Sequence, residues 1–325
     1  MKIFGTHTIV FFLVLGLSPA CIESSQRPVN AAKSTPVHSN QTADNTAYTG
    51  KMRENLAKTI TNSSTFQCDY LGQEPPGDKP VVFAPGVVST EKMEYRCVIS
   101  PNGEEIFFTR EGTIYRITRK NQGSGWNDPA PAPFSGKYID GESCLSMDGN
   151  RIYWCSRRPL PGAVVPLNLW ISQKTDGQWG EPFPLRHPAN NQTIHAPTVS
   201  ANGNLYASGI IRLKYNEGKY LPPEKLQPEI KGHHPFIAPD ESYLIFGNKR
   251  PQGYIFWLYI VFRKPNGTWT EPLSLGEQIN SSRKQGNASV TPDGKYIFFS
   301  RDEDIYWVKA TVIGTLKAKA LGPSS

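Results

Sequence analysis

Five times between Cys97 and Arg301 the chain repeats one pattern: an apolar residue, a small residue, a Pro/Asn/Asp/Gly turn, then an aromatic-rich run. The units are "CVISPNGEEIFFTR", "CLSMDGNRIYWCS", "TVSANGNLYASG", "FIAPDESYLIFGN" and "SVTPDGKYIFFSR". Their turns start at Ser100, Ser146, Ser200, Ala238 and Thr291, spaced 46, 54, 38 and 53 residues apart. Asn-Gly and Asp-Gly tolerate positive φ, so each turn closes a hairpin between two strands. A third strand follows, as in "TIYRIT", "NLWIS", "FWLYIVF" and "DIYWV". Four units then carry an aromatic-x-x-Pro, namely Trp126…Pro129, Trp179…Pro182, Tyr220…Pro223 and Trp269…Pro272. This element is read as the outermost strand, because a proline disturbs a sheet least at its edge.

The fifth unit has no such element, and the first is preceded by an unclaimed one, "GDKPVVFAPGVVST", with Pro80 in the matching place. From each proline to the next turn the chain runs 20, 17, 18, 15 and 19 residues, so the orphan obeys the rule of the others. Pro80–Val88 is therefore expected to be the outer strand of the last unit, which joins the two ends of the chain and closes a ring. The predicted fold is all-β: a five-bladed β-propeller of four-stranded antiparallel blades, the last completed by an N-terminal strand. Blades are expected at about 94–136, 137–191, 192–230, 231–282 and 283–317 plus 78–88, within one domain spanning 67–317, with 318–325 a disordered tail. A β-sandwich lacks such a repeat, a sixth blade has no candidate turn, and the β-branched and aromatic strands exclude a helical solenoid.

The stretches "SPNGEEIFF", "APDESYLIF" and "TPDGKYIFFSRDEDIYWV" resemble the WD40-like repeats of TolB-type propellers. From about Tyr70 to Lys317 the chain is similar to a cell-envelope family built only of such repeats, whose members mostly have no assigned activity. The third unit departs most, since "ANGNLYASG" is short and lacks the Asp-Ile/Leu-Tyr motif in its next strand. The resemblance implies a fold and leaves function to be argued from a site.

The segments before the repeat carry an address. Lys2 precedes an apolar run, Ile9–Leu17, too short to span a bilayer, and Ser18-Pro19-Ala20 supplies small residues ahead of Cys21. Residues 1–20 are read as a signal peptide and Cys21 as the lipid-carrying residue of a bacterial lipoprotein, in the periplasm or outer membrane; plain secretion is the second reading. Residues 21–66, rich in Ser, Thr, Asn, Gln and Ala, have too little apolar surface to fold and are read as a tether. Lys51–Ile60 is a candidate short helix. The net charge of +7 is dispersed without a basic run, which argues against nucleic acid and leaves only Cys21 as a membrane contact. Cys68, Cys97, Cys144 and Cys155 have three pairing schemes open in an oxidising compartment or are simply small buried residues. Counting outward from the turn at Asp148-Gly149 sets Glu142 opposite Cys155.

In a propeller the segments leading into the inner strands and the ends of the second strands gather on one face around the axis. The first set holds Glu94, Tyr95 and Arg96, then Asp140 and Glu142, then His195, His233, His234 and Asn287. The second holds Arg110, Arg157, Arg158, Lys249, Arg250 and Arg301. Arg96, Arg110, Arg157, His195, His234, Lys249 and Arg301 are candidate ligand-binding residues, since guanidinium groups hold carboxylates in fixed geometry. Pairing with neighbouring acids would instead make these cations stitches between blades. Alternation along a strand sends only one of His233 and His234 to the axis, so no metal site is assigned, although Glu142 or Asp140 could complete one. No cofactor is expected. The favoured function is a non-catalytic module binding an envelope protein, peptide or glycan. The alternatives are a purely structural module and a glycan-active hydrolase or lyase using Glu94, Asp140, Glu142 and His234. No nucleophile elbow, phosphate loop or zinc-helix motif occurs.

Overall fold

The computed structural model describes residues 66–322, apart from 121–124, 164, 186–187, 191–192, 250–255 and 282–283. The export segment, Cys21, most of the tether, the candidate helix at Lys51–Ile60, Arg250 and most of blade 4's second-to-third connection lie outside the described residues. Five small antiparallel sheets form the five blades. From inner to outer strand, blade 1 comprises Glu94–Ile99, Glu105–Arg110, Thr113–Thr118 and Ala130–Pro131. Blade 2 comprises Asp140–Leu145, Arg151–Ser156, Asn168–Thr175 and Phe183–Pro184. Blade 3 is the smallest: Thr198–Val199, Leu205–Ala207, Ile211–Leu213 and Glu224–Lys225. Its third strand, unmarked by a motif, is nevertheless paired on both sides. Blade 4 comprises His233–Ile237, Tyr243–Lys249, Phe256–Phe262 and Leu273–Ser274. Blade 5 comprises Gln285–Val290, Tyr296–Arg301 and Asp304–Lys309, with Val81–Val82 outermost.

The closing strand lies where the repeat arithmetic puts it. Val81 pairs with Trp307 and Val82 with Tyr306, and the Phe83 amide donates to the Ile305 carbonyl at 2.8 Å. Phe83 is fully buried, its ring 4.7 Å from Phe298 and 5.3 Å from Trp307 edge to face. Tyr70 covers the other side of Trp307 at 5.0 Å. Ser89 holds Ile305 twice, its hydroxyl donating to the carbonyl and accepting from the amide. Sequence-distant side chains thus form one apolar cluster between blades 5 and 1.

Three details differ from the sequence reading. The outer strands begin after the proline of each aromatic-x-x-Pro, at Ala130, Phe183, Glu224 and Leu273. The aromatic residue instead turns back on the third strand's end: Trp126 bridges Arg119, Trp179 pairs with Lys174, Tyr220 with Tyr215 and Trp269 bridges Arg263. Proline therefore sits at the corner, where its missing N–H costs no ladder bond. Residues Thr311–Leu321 form a helix, so 318–321 are not a disordered tail. Val312, Ile313, Leu316 and Ala320 rest on the apolar cluster of blades 4 and 5, burial that the helix-favouring Ala, Lys and Leu content supports. Finally, Cys155 pairs with Gly141 rather than Glu142, because the inner strand takes up an extra residue between Gly141 and Cys144. Cys68, Cys97, Cys144 and Cys155 are free thiols, and burial first of all pushes the last three well above the usual thiol value.

Removing the Phe83 ring from this closure should cost about 3–5 kcal/mol, the usual range for a buried aromatic cut to alanine. Urea unfolding of the Phe83→Ala chain reads it directly. A loss below about 1 kcal/mol would mean that the ring is held shut by something other than the paired ends.

Candidate functional site

The extra residue in the inner strands is the device that builds the centre. Inner strands of blades 1, 2, 4 and 5 all slip register at the same place, four residues before the turn. Arg96, Glu142, Ala196, His234 and Asn287 occupy that place in the five blades, and all are left-handed, with φ of 56, 57, 53, 50 and 50°. A bulge with a left-handed residue re-aims a side chain and breaks strict alternation, and here it carries Arg96 to the axis and brings Glu142 and His234 together. Non-glycine residues in this region are strained by about 1 kcal/mol or more each, so the surrounding ring must hold them.

Arg96 was expected on the rim as an anion ligand. The structure buries it at 1 % exposure on the axis instead. Its Nε donates to Ser143 O at 3.1 Å, Nη1 to Ala288 O at 3.1 Å and Pro235 O at 3.3 Å, and Nη2 to Pro197 O at 2.7 Å and Pro235 O at 3.4 Å. Each of those carbonyls belongs to the residue directly after the left-handed position of another blade. One guanidinium from blade 1 therefore binds blades 2, 3, 4 and 5 together and fills the channel. No carboxylate neutralises it directly. Burial lowers its pKa, against which the nearby Cys144 and Glu142 act, and the carbonyl dipoles carry the charge.

The other predicted residues divide sharply. Glu94 is fully buried and holds Arg110 Nε at 2.7 Å and the Thr90 hydroxyl at 2.6 Å. Arg110 also donates to Val87 O at 2.8 Å and stacks on Phe108 and Tyr115. Asp140, 1 % exposed, accepts from Ser135 Oγ at 2.8 Å and Trp154 Nε1 at 3.1 Å, with Arg158 Nη2 at 3.7 Å. Arg158 donates to Phe134 O at 2.8 Å and covers Trp170. Arg301 donates to Ile279 O at 2.7 Å and covers Tyr306. Arg110, Arg158 and Arg301 thus repeat one job: each lies over its blade's aromatic pair and clamps the connection that leads into that blade. The expected ring of free anion-binding cations is mostly a ring of staples. Arg157 is the departure; it is exposed, with no side-chain hydrogen bond or ion pair among the described residues. Lys249 is also exposed, at the end of its strand opposite Phe256.

Glu142, His195 and His234 come together. Glu142 Oε1 lies 2.9 Å from His234 Nε2, and Oε2 lies 3.5 Å from His195 Nδ1 and 2.8 Å from the Ala196 amide. Side-chain exposures are 14 % for Glu142, 30 % for His195 and 28 % for His234, so solvent reaches the group. His233 stands beside it, its ring 6.3 Å from His195 and 5.9 Å from Phe256. Alternation is right that only one of the adjacent histidines reaches Glu142, but the bulge keeps both rings next to His195. Tyr95 roofs the position from blade 1: a Cβ added to Gly141 would stand 2.7 Å from its hydroxyl, so only glycine fits. Burial pushes the Tyr95 hydroxyl up, and the charge of Glu142 adds to the shift. Burial alone would raise the Glu142 carboxyl, but hydrogen bonds from His195 and His234 outweigh it and hold the group well below the usual carboxylate range. Burial, then the neighbouring His234 and His195, lower the His233 imidazole below its ordinary value. Sequence reasoning had Glu142, His195 and His234 among its candidates, did not name Ala196, and missed the shared offset of four residues that marks the left-handed series.

Two clefts lie away from this centre. One of about 430 Å³ opens between blades 1 and 2 at the turn end, around Glu105, Arg116 and Lys174. Another of about 460 Å³ lies beside Cys68, Tyr70 and Tyr296. Glu105 there binds Arg116 and Lys174 and accepts from Trp179 Nε1 at 3.1 Å, an interblade stitch.

No protein-family description matches the chain, and no curated protein does either. Solved structures similar to it include TolB-type propellers. A TolB-assigned protein of Agrobacterium tumefaciens is 15 % identical, with 65 % of this chain and 71 % of that one covered and a TM-score of 0.42. TolB of Acinetobacter baumannii is 11 % identical over 68 % of this chain, which spans about half of that protein (55 %), at a TM-score of 0.43. A Bacteroides uniformis protein assigned as a 6-phosphogluconolactonase is 18 % identical over 61 % of each chain, at a TM-score of 0.35. These likenesses are distant, and the propeller stands on the chain's own strand pairing.

Two outcomes follow. Arg96→Met leaves four buried carbonyls short of a donor, each worth about 1–3 kcal/mol, so unfolding free energy should fall by at least about 3 kcal/mol; Arg96→Lys should not restore it, because three donors cannot serve the same set. A near-neutral Arg96→Met would remove the guanidinium from its central role. The second concerns acid. Because the folded Glu142 value is depressed, its contribution is complete above the ordinary carboxylate value of 4.5 and is lost as pH falls through the folded value. Urea midpoints measured downward from pH 5 should drop less steeply in Glu142→Gln than in the natural chain, and equal slopes would refute the coupling.

Proposed function

We propose that the protein is a non-catalytic binding propeller whose loop face takes up a protein or peptide partner, with a glycan as the second ligand class, in the bacterial cell envelope. One observation carries this reading: the rim of blades 1 and 2 leaves apolar groups and Arg157 open while Glu94 and Asp140 are consumed internally. Met93 and Ile139 are 46 % and 60 % exposed, immediately before the inner strands, and Val87 is 40 % exposed on the adjoining loop. The Met93 carbonyl accepts from Glu111, Ile139 lies against Gly112, and the Ile139 carbonyl accepts from the Arg157 amide. The exposed groups therefore stand on adjoining loops of the two blades, linked through the Glu111-Gly112 turn, with the Arg157 backbone bonded to Ile139. Exposed apolar groups next to an open arginine are the usual make-up of a protein-binding centre. Export and a lipid-carrying Cys21 belong to the same proposal and rest on the sequence alone. No described helix is long and apolar enough to cross a membrane.

A hydrolase or lyase is disfavoured by a specific placement. Glycoside cleavage needs two carboxyl groups facing one pocket. Glu94 and Asp140 are buried in structural bonds, and Arg96 fills the axis between the blades. Among the described residues Glu142 is left without an acid partner at the centre.

A photo-crosslinking side chain placed at Ile139 in cells should give discrete protein adducts, identified by mass spectrometry, that disappear with Arg157→Glu. The same probe at the exposed Asn102, at the opposite end of blade 1, should give none of them. Identical adduct patterns from both positions, or none from Ile139 alongside turnover that depends on Glu142, would overturn the binding reading.

A further inference from the structure

The group at the centre offers something that the binding face does not use. Glu142, His195 and His234 arrive from blades 2, 3 and 4, and each can present one ligand atom so that all lie within 4.8 Å of one another. We propose that they form a site for one divalent late first-row transition metal ion, the class of Zn²⁺, Ni²⁺ and Co²⁺, with open positions toward solvent.

The spacing suits such an ion. Bonds of about 2.0–2.2 Å put neighbouring ligand atoms about 2.8–3.6 Å apart, the shorter separations in octahedral and the longer in tetrahedral geometry. The observed carboxylate-to-imidazole separations are 2.9 and 3.5 Å. The ligands are also fixed in advance. Glu142 and His234 sit on left-handed bulge residues of rigid strands, and the Ala196 amide holds Glu142 Oε2 at 2.8 Å. Orienting contacts of this kind set ligand geometry in metal sites. His195 and His234 lie with ring centroids 5.6 Å apart, and a simple hydrogen-bonded role uses one nitrogen of each. Charge selects the class of ion. Among the described residues Glu142 is the one carboxylate of the group, so the site lacks the several oxygen ligands that calcium or magnesium needs. Imidazole donors bind the later transition metals through their lone pairs instead.

The test uses the full chain, stripped with a chelator and titrated with Co²⁺ while visible absorption is followed, then displaced with Zn²⁺. One equivalent should produce ligand-field bands. Glu142→Gln should weaken binding at least about tenfold, and His195→Ala/His234→Ala should leave only the background of the chain's other histidines. Zn²⁺ should raise the thermal midpoint of the natural chain and not that of the double variant, while Ca²⁺ should move neither. If the alanine variant is poorly folded, His195→Gln/His234→Gln gives the same reading with the rings' volume better kept. The proposal fails if the natural chain shows no ion-dependent bands, if its titration superimposes on that of the double variant, or if Ca²⁺ matches Zn²⁺. Crosslinking at Ile139 does not depend on the ion, so either proposal can fall alone.

Discussion

A single guanidinium holds the middle of this protein. Five short sheets arranged radially bring four backbone carbonyls, from blades 2, 3, 4 and 5, to one axis, and carbonyls crowded there without donors would repel one another and remain unsatisfied. Arg96 supplies a fork of N–H groups at the common height and satisfies blades 2, 3, 4 and 5 from blade 1. The fork requires the carbonyls to point inward, and the left-handed residue before each carbonyl, with a bulge in blades 1, 2, 4 and 5, sets that direction and brings Glu142 and His234 together. The candidate metal ligands occupy this series of positions or lie one residue from it, so the architecture of the ring and the chemistry of its mouth have a common origin.

The same economy governs the periphery. Cations at the ends of the second strands spread over aromatic pairs and grip the connection entering their own blade, as Arg110, Arg158 and Arg301 do. Such contacts combine cation–π attraction with hydrogen bonds to carbonyls, and in blades 1 and 2 with a buried carboxylate as well. The acids that accompany them, Glu94 and Asp140, are spent in the same networks. What remains available to a partner is the residue that escapes the pattern, Arg157, and the apolar groups beside it.

The fold was legible because its evidence is local and repeated. Turn chemistry gives the hairpins, strand composition gives the sheets, and constant spacing from proline to turn places Val81 beside Trp307 before any contact is known. The C-terminal helix was harder to see, since its apolar residues are few and its support comes from blades 4 and 5. The site was half legible. Residue types and loop membership drew attention to Glu142, His195 and His234, and alternation, a rule of regular strands, allowed one of the adjacent histidines to the axis without saying which. A bulge has no side-chain signature in one copy; only five copies aligned on the turn expose it. Arg96 was misjudged for a related reason, because carbonyls carry no mark in a sequence and their convergence is a property of the closed ring.

Joining the two ends has a kinetic side. Ser89 and Ile305, 216 residues apart, must meet before blade 5 has its edge covered and before blade 1 has its neighbour. Arg96 and the closing strand lie early in the described chain, while Ile305 and the last of the carbonyl partners, that of Ala288, lie late in it. Completion of the ring therefore waits for blade 5, since closing so long a loop is entropically costly and is rewarded only when the ends meet. Until then the first blades stand with part of their support missing.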